Sequence, residues 1–242
     1  AGITNKILSR FVDIVAVGYN EAAKSFSKAK RVVYTGNPVR PDVLVDSRAE
    51  GRQFFGLCDD IFTVLIAGGS RGARTINTAM IDVHKHFQGK PGIKLIHITG
   101  NGEYNTVLEQ LGIDDGTGLG ESSLILPYLH DMPKALAATD LAVFRSGAIG
   151  LAELAVRGIP SILVPYPYAA EDHQTYNARI FVQEGAAHMI VDKVLTSHDL
   201  IGEIEMFMAN RELLAQMGAS ALRLGKPNAA HDIAELALSI AK

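Results

Sequence analysis

The stretch Phe62-Thr63-Val64-Leu65-Ile66-Ala67-Gly68-Gly69-Ser70-Arg71-Gly72-Ala73-Arg74 joins an unbroken apolar run to a glycine-rich turn, and Ile76 and Met80 then continue at helical spacing. An apolar run without polar alternation is the pattern of a strand buried on both faces, which a parallel sheet requires. Downstream, short aliphatic or β-branched runs recur at Ile93 to Thr99, Ser123 to Pro127, Leu141 to Phe144, Ser161 to Val164 and His188 to Val191, with helical patterns between them. Strands alternating with helices predict a doubly wound α/β domain with helices on both faces of the sheet.

Upstream, Val12 to Val17 and Arg31 to Tyr34 read as two further strands joined by a helix around Glu21 to Lys28. Gly36-Asn37-Pro38 with Pro41 then breaks the pattern, which places a domain boundary near residues 36 to 41. Residues 1–36 are too few to bury a sheet face, so they are expected to end a neighbouring amino-terminal domain, with 37–242 as the main domain. The chain opens inside a helical pattern (Ile3, Ile7, Leu8, Phe11) without a capping residue, as a piece of a longer chain would. After Thr196 the pattern is helical, with Leu200, Ile204, Phe207 and Met208 at one spacing and Ile233, Leu236 and Ile240 at another, so these helices cover the sheet or return to the neighbouring domain.

The 242 residues are 48% hydrophobic and 20% charged, a globular composition with room for a sizeable core. The formal net charge is -3, which argues against a nucleic-acid partner because phosphate neutralisation needs a basic face. One cysteine, Cys58, cannot form an internal disulfide and fits a reducing compartment such as the cytoplasm. The first apolar run is interrupted by Asp13, and no run reaches the roughly 18 to 20 residues of a membrane span. His84, His86 and His97 lack partners at a metal-binding spacing, so no structural metal is expected. Lys24, Lys28, Lys30 and Arg31 read as a solvated basic face.

In open α/β sheets ligands bind beyond the carboxyl ends of the strands, where helix N-termini attract anions. Three turns there carry candidate chemistry. Gly68, Gly69, Ser70 and Gly72 suit a phosphate or diphosphate, although a tight turn needing glycine for geometry alone reads the same way. Arg145-Ser146-Gly147-Ala148-Ile149-Gly150-Leu151-Ala152-Glu153 opens a second helix; Glu153, near its first turn, could accept from a ribose diol or simply complement the helix dipole. The third turn follows Pro165-Tyr166-Pro167. There Gln174 and Asn177, three apart, suit sugar hydroxyls, against an ordinary solvated helix start capped by Asp172.

In their order along the chain, Ala1-Gly2-Ile3-Thr4-Asn5-Lys6, Gly36-Asn37-Pro38-Val39-Arg40, Gly68 to Arg74, Arg145-Ser146-Gly147-Ala148, Ala152-Glu153-Leu154 and His173-Gln174 with Asn177 resemble the MurG-type glycosyltransferases of peptidoglycan synthesis. The resemblance implies the carboxy-terminal, donor-binding half of a two-domain GT-B enzyme. Such an enzyme moves N-acetylglucosamine, with inversion, from UDP-N-acetylglucosamine to undecaprenyl-diphosphoryl-N-acetylmuramoyl-pentapeptide at the inner face of the cell membrane. It further implies Ser70 on the diphosphate, Glu153 on the ribose, the Leu129 backbone against uracil, Ala148 to Glu153 (Ala148, Ile149, Gly150, Leu151, Ala152, Glu153) as nucleotide loop, Gln174 on the sugar and Arg40 lining the cleft. Gly150 departs from the threonine frequent in the family. The family's amino-terminal glycine-rich loops and acceptor-activating histidine have no counterpart, so donor binding without turnover is expected of this chain.

Other readings remain. Gly68-Gly69-Ser70-Arg71-Gly72 also fits the G-x-S-x-G elbow of an α/β-hydrolase, with Ser70 as nucleophile and, for example, Asp140 and then His173 or His188 completing a triad. Nearer rivals are a lipid glycosyltransferase, a UDP-sugar epimerase or a non-catalytic UDP-sugar module.

Overall fold

The computed structural model describes residues 2–69 and 73–241. In chain order the first elements are α1 (Ile3–Leu8), β1 (Val15–Val17), a 3₁₀ turn (Asn20–Phe26), β2 (Val32–Tyr34), α2 (Pro41–Val45), α3 (Arg48–Phe54), β3 (Phe62–Ala67) and α4 (Arg74–Phe87). They are followed by β4 (Ile93–Ile98), α5 (Tyr104–Leu111), β5 (Ser123–Leu126), α6 (Met132–Ala138), β6 (Leu141–Phe144), α7 (Ala148–Arg157) and β7 (Ser161–Leu163). The rest comprises α8 (His173–Gln183), β8 (Ala187–Met189), α9 (Ser197–Ala209), α10 (Arg211–Leu224) and α11 (Ala229–Ile240).

Strands β3 to β8 form one parallel sheet in the order β5-β4-β3-β6-β7-β8, while β1 and β2 pair separately in parallel. The order runs outward from β3 in one direction and then, from β6, in the other, so the chain reverses between β3 and β6. That reversal is the doubly wound topology expected from the sequence, and it opens a crevice beyond the carboxyl ends of those two strands. The helix read at Glu21 to Lys28 is a 3₁₀ turn instead. Residues 12–14 precede β1, which is shorter than the sequence run.

The central strands β3, β6 and β7 are buried on both faces, while the edge strands β5 and β8 are half-buried on one. Phe62, Val64 and Ile66 of β3 pack with Ile76, Met80 and Val83 of α4 and with Leu200, Ile204 and Phe207 of α9. Leu65 and Ala67 of the same strand face the opposite layer, where Leu136 of α6, Leu151 and Leu154 of α7 and Phe181 of α8 pack. The period-2 alternation of β3 thus feeds two apolar layers, which is why no polar residue breaks the run except Thr63. Helices α9 and α10 cover the sheet; α11 buries only Ala229 and leaves Leu238 and Ile240 exposed. Ile3, Ile7 and Leu8 of α1 are exposed as well.

Candidate nucleotide-sugar site

Two helices begin at the crevice. After β3, Gly68 and Gly69 lead toward α4, and Gly69 takes φ +85°, a conformation that glycine adopts without strain. Ser70 and Gly72 lie outside the described residues. After β6, Gly147 is the N-cap of α7. Among the described residues neither α4 nor α7 has a side-chain cap or an acidic residue in its first turn. Among the described residues their first backbone N–H groups thus have no side-chain partner, and each helix end carries the positive end of its dipole. Such a pair of helix ends suits a diphosphate.

Glu153 lies in the second turn of α7, past the first turn assigned from the sequence. It is buried, and its Oε1 accepts from Nη2 of Arg40 at 3.4 Å. Burial raises its pKa, and the Arg40 guanidinium partly offsets that shift. Two candidates 113 positions apart thus meet beside the crevice. Ala148, Ile149, Gly150, Leu151 and Ala152 form the first turn of α7 and the step to Glu153, with Ile149 exposed at the mouth and Leu151 buried beneath. Leu129 sits in the loop after β5, partly buried against the lower layer, at the same end of the sheet.

The third loop, after β7, holds Gln174 in place: its Oε1 accepts from the Tyr166 backbone N–H at 3.0 Å, which leaves the side-chain NH₂ as the group to offer a ligand. Asn177 lies one turn on but is buried, and its Nδ2 donates to the Ser146 carbonyl at 3.1 Å. Asn177 therefore holds the β6–α7 loop rather than sharing an exposed face with Gln174. Asp172 makes no backbone cap; it accepts from the Thr175 hydroxyl at 2.6 Å. Glu171 and Asp172 both take left-handed φ, 53° and 52°, and two such non-glycine residues in succession store strain beside the crevice.

Sequence reasoning missed what ties these loops together. Arg145 is buried, donates to the carbonyls of Val164 and Pro165 at 3.1 and 3.2 Å, and ion-pairs with Asp192. Asp192 also accepts from Thr75 in the first turn of α4 at 3.1 Å. A polar residue at a strand end was the available signal for Arg145; nothing local marks its partner 47 positions away. The hydroxyl of Ser146 is buried without a hydrogen-bond partner among the described residues.

The hydrolase reading finds no support among the described residues, and Ser70 lies outside them. Asp140 precedes β6 and accepts from the Thr63 N–H at 2.8 Å, at the amino end of β3, roughly 13 Å along the strand from its carboxyl end at Ala67. His188 is held by Glu203 at 2.7 Å, and His173 hydrogen-bonds the Ala170 carbonyl at 2.7 Å.

A parallel sheet with this strand order and helices on both faces is a doubly wound, Rossmann-like α/β domain. The model of the glycosyltransferase family 28 C-terminal domain matches residues 63–236, and the chain belongs to that family. It is 44% identical over 240 residues to the UDP-N-acetylglucosamine–N-acetylmuramyl-(pentapeptide) pyrophosphoryl-undecaprenol N-acetylglucosamine transferase of Desulfitobacterium hafniense, covering 99% of this chain and 65% of that protein. The equivalent transferase of Desulforamulus reducens is 42% identical over 234 residues, covering 96% of this chain and 63% of the relative. Among solved structures, MurG of Acinetobacter baumannii superposes with a TM-score of 0.74 at 27% identity, over 99% of this chain and 65% of that one. The chain thus spans just under two thirds of the length of these relatives, and its fold is that of the GT-B glycosyltransferases.

Proposed function

We propose that this chain supplies the donor half of an inverting transferase that moves N-acetylglucosamine from UDP-N-acetylglucosamine to undecaprenyl-diphosphoryl-N-acetylmuramoyl-pentapeptide. The observation that carries the reading is the meeting of two uncapped helix N-termini with the Arg40–Glu153 pair at the reversal point of the sheet. The relatives' names, which specify that reaction, support it. In this reading the Gly68, Gly69, Ser70 and Gly72 turn and the first N–H groups of α7 hold the diphosphate. Glu153 accepts from the ribose hydroxyls, the Leu129 backbone meets uracil, Gln174 donates to the sugar, Arg40 lines the cleft, and Asn177 fixes the Ser146 loop. Departure of UDP places negative charge on the diphosphate, and fixed donors there stabilise that charge without reorganising. The nucleotide sugar is a substrate, and the reading calls for no cofactor, metal or nucleic acid.

Residues 1–36 then belong to the acceptor half and 37–242 to the donor domain, a division supported by the separate pairing of β1 with β2. The full-length enzyme works as a peripheral protein on the inner face of the membrane; among the described residues no helix is long and apolar enough to cross one. Calorimetric titration with UDP-N-acetylglucosamine, against UDP-glucose and a Glu153→Ala control, tests the donor assignment. Micromolar binding, about -7 to -8 kcal/mol, that prefers the N-acetyl sugar and disappears in the variant is expected. A folded chain that gives no heat with either nucleotide sugar refutes it.

A further inference from the structure

At the opposite end of the sheet from the crevice, the amino ends of β6 and β7 border a cavity of about 380 Å³ lined by Arg48, Arg157 and Arg211 alongside a single carboxylate, Asp140; Arg157 is held at the wall, its Nη1 donating to the carbonyls of Val43 and Asp46 at 3.3 and 2.7 Å. Arg48 and Arg211 are the first residues of α3 and α10, where the helix dipole disfavours a cation. Both oxygens of Asp140 are already engaged at 2.8 Å, one by Arg48 and the other by the Thr63 N–H. Arg211 stands 3.9 Å from the same carboxylate, too far for a hydrogen bond, and makes none among the described residues. Its guanidinium lies 4.8 Å over the Phe62 ring, which holds it facing the cavity.

The neighbouring acids do not supply the missing charge. Asp46 is paired with Lys134 at 2.7 Å, Asp59 lies 3.6 Å from the buried Arg52, and Glu50 is tied into the Ser47 capping box. Behind Asp140, Arg52 is buried with its Nε and Nη1 lacking hydrogen-bond partners among the described residues, and Nη1 is 3.8 Å from Asp140. Arg48 and Arg211 against one carboxylate leave the cavity about one charge positive, with Arg157 at its wall adding to the field, a sign and size that suit the roughly -1.5 to -2 of a phosphate monoester at pH 7. Guanidinium forks match phosphate oxygens in pairs.

We infer that this cavity is a second anion site, remote from the donor crevice, that binds a phosphate group through Arg211 and Arg48. Amide chemical-shift mapping of the folded chain tests it, with inorganic phosphate titrated against chloride at equal ionic strength. Saturable shifts at Thr139, Asp140, Gly158 and Ile159 are expected, with the dissociation constant at least tenfold weaker in Arg211→Ala and partly restored in Arg211→Lys. Arg48→Gln serves as a second variant should the first fail to fold. Shifts confined to residues 68–75 and 145–150, or an affinity that neither variant changes, overturn the site. Sedimentation with phosphatidic acid vesicles, whose headgroup is a phosphate monoester, and with phosphatidylcholine vesicles separates the sources. Pelleting with the anionic vesicles that falls in Arg211→Ala identifies a lipid headgroup as the natural phosphate, whereas variant-sensitive binding of soluble phosphate alone identifies a free phosphorylated molecule.

Discussion

Glu153 is a buried carboxyl whose ionised form the fold disfavours, because desolvation raises its pKa and the half-exposed Arg40 offsets only part of that. A carboxyl whose folded pKa lies above its unfolded value binds more protons when folded, so stability falls as pH rises through that window. Glu153→Gln is therefore expected to raise the unliganded Tm at pH 7 but not at pH 4, while weakening UDP binding at pH 7. Thermal melts at the two pH values with a parallel titration would check it, and an equal Tm change at both would refute the assignment of the cost to ionisation. Gly150 tests the other side of the same loop. A Cβ there would sit 3.5 Å from the Phe144 ring, in ordinary contact, so nothing in the packing requires glycine. Gly150→Ala should gain up to about 1 kcal/mol from helix propensity. Gly150→Thr, which adds a hydroxyl in the first turn of α7, should tighten UDP several-fold; unchanged affinity by calorimetry would mean that this turn does not meet the phosphates.

Helix α4 and strand β4 are joined by a buried polar line whose proton positions follow from its ends. Asn77 Nδ2 donates to the Thr99 carbonyl at 2.9 Å, so its Oδ1 is the acceptor for His97 Nε2–H at 3.0 Å. Neutral His97 then accepts at Nδ1 from His84 Nε2–H at 3.1 Å, and His84 Nδ1 accepts from the Ser123 hydroxyl at 2.9 Å. Every group is matched only while both rings are neutral, and burial pushes the His84 pKa down to about 4 and that of His97 well below its ordinary value. Unfolded histidine binds its proton near pH 6.5, so stability is lost as pH falls from about 6.5 to about 4, by on the order of 3 kcal/mol for His84 alone. Urea melts across that window should show the loss, and His84→Leu with Ser123→Ala should flatten it; a slope unchanged in the double variant would place the proton uptake elsewhere. None of this line was legible in the sequence, where the histidines carried no spacing signal, because its bonded members lie up to 39 positions apart and meet only once β4 and β5 pair. The strands were legible because burial on two faces leaves a continuous apolar run, and the crevice loops because glycine and helix starts mark them locally. Arg40 and Glu153 could be named from the family resemblance, but not as a pair. The burial of Asn177 and its bond to the Ser146 carbonyl were not legible, because helical spacing shows which residues share a face and not which of them the packing buries.

The crevice depends on loops from β3, β6 and β7 keeping their mutual positions, and one buried ion pair spans all three. Asp192 binds Arg145 after β6 and Thr75 at the start of α4, and Arg145 in turn holds the carbonyls of Val164 and Pro165 after β7. Removing one partner of a buried pair leaves the other charged and unpaired, typically at about 3–5 kcal/mol. Asp192→Ala should therefore lower Tm by roughly 10 °C for a chain of this size. Phe207→Ala, which opens a cavity in the layer between α4 and α9, should cost a similar amount through lost packing. The two variants separate in their response to ligand. UDP at a hundred times its dissociation constant adds about 2.7 kcal/mol to a domain with an intact site. Phe207→Ala should keep that gain at the wild-type UDP concentration, since the loops at the crevice remain tied. Asp192→Ala should lose most of it, because the helix ends of α4 and α7 are no longer fixed against each other and the ligand must order them on binding. Equal thermal gains in the two variants would show that the sheet alone positions the loops, and that the Arg145–Asp192 pair serves stability without shaping the site.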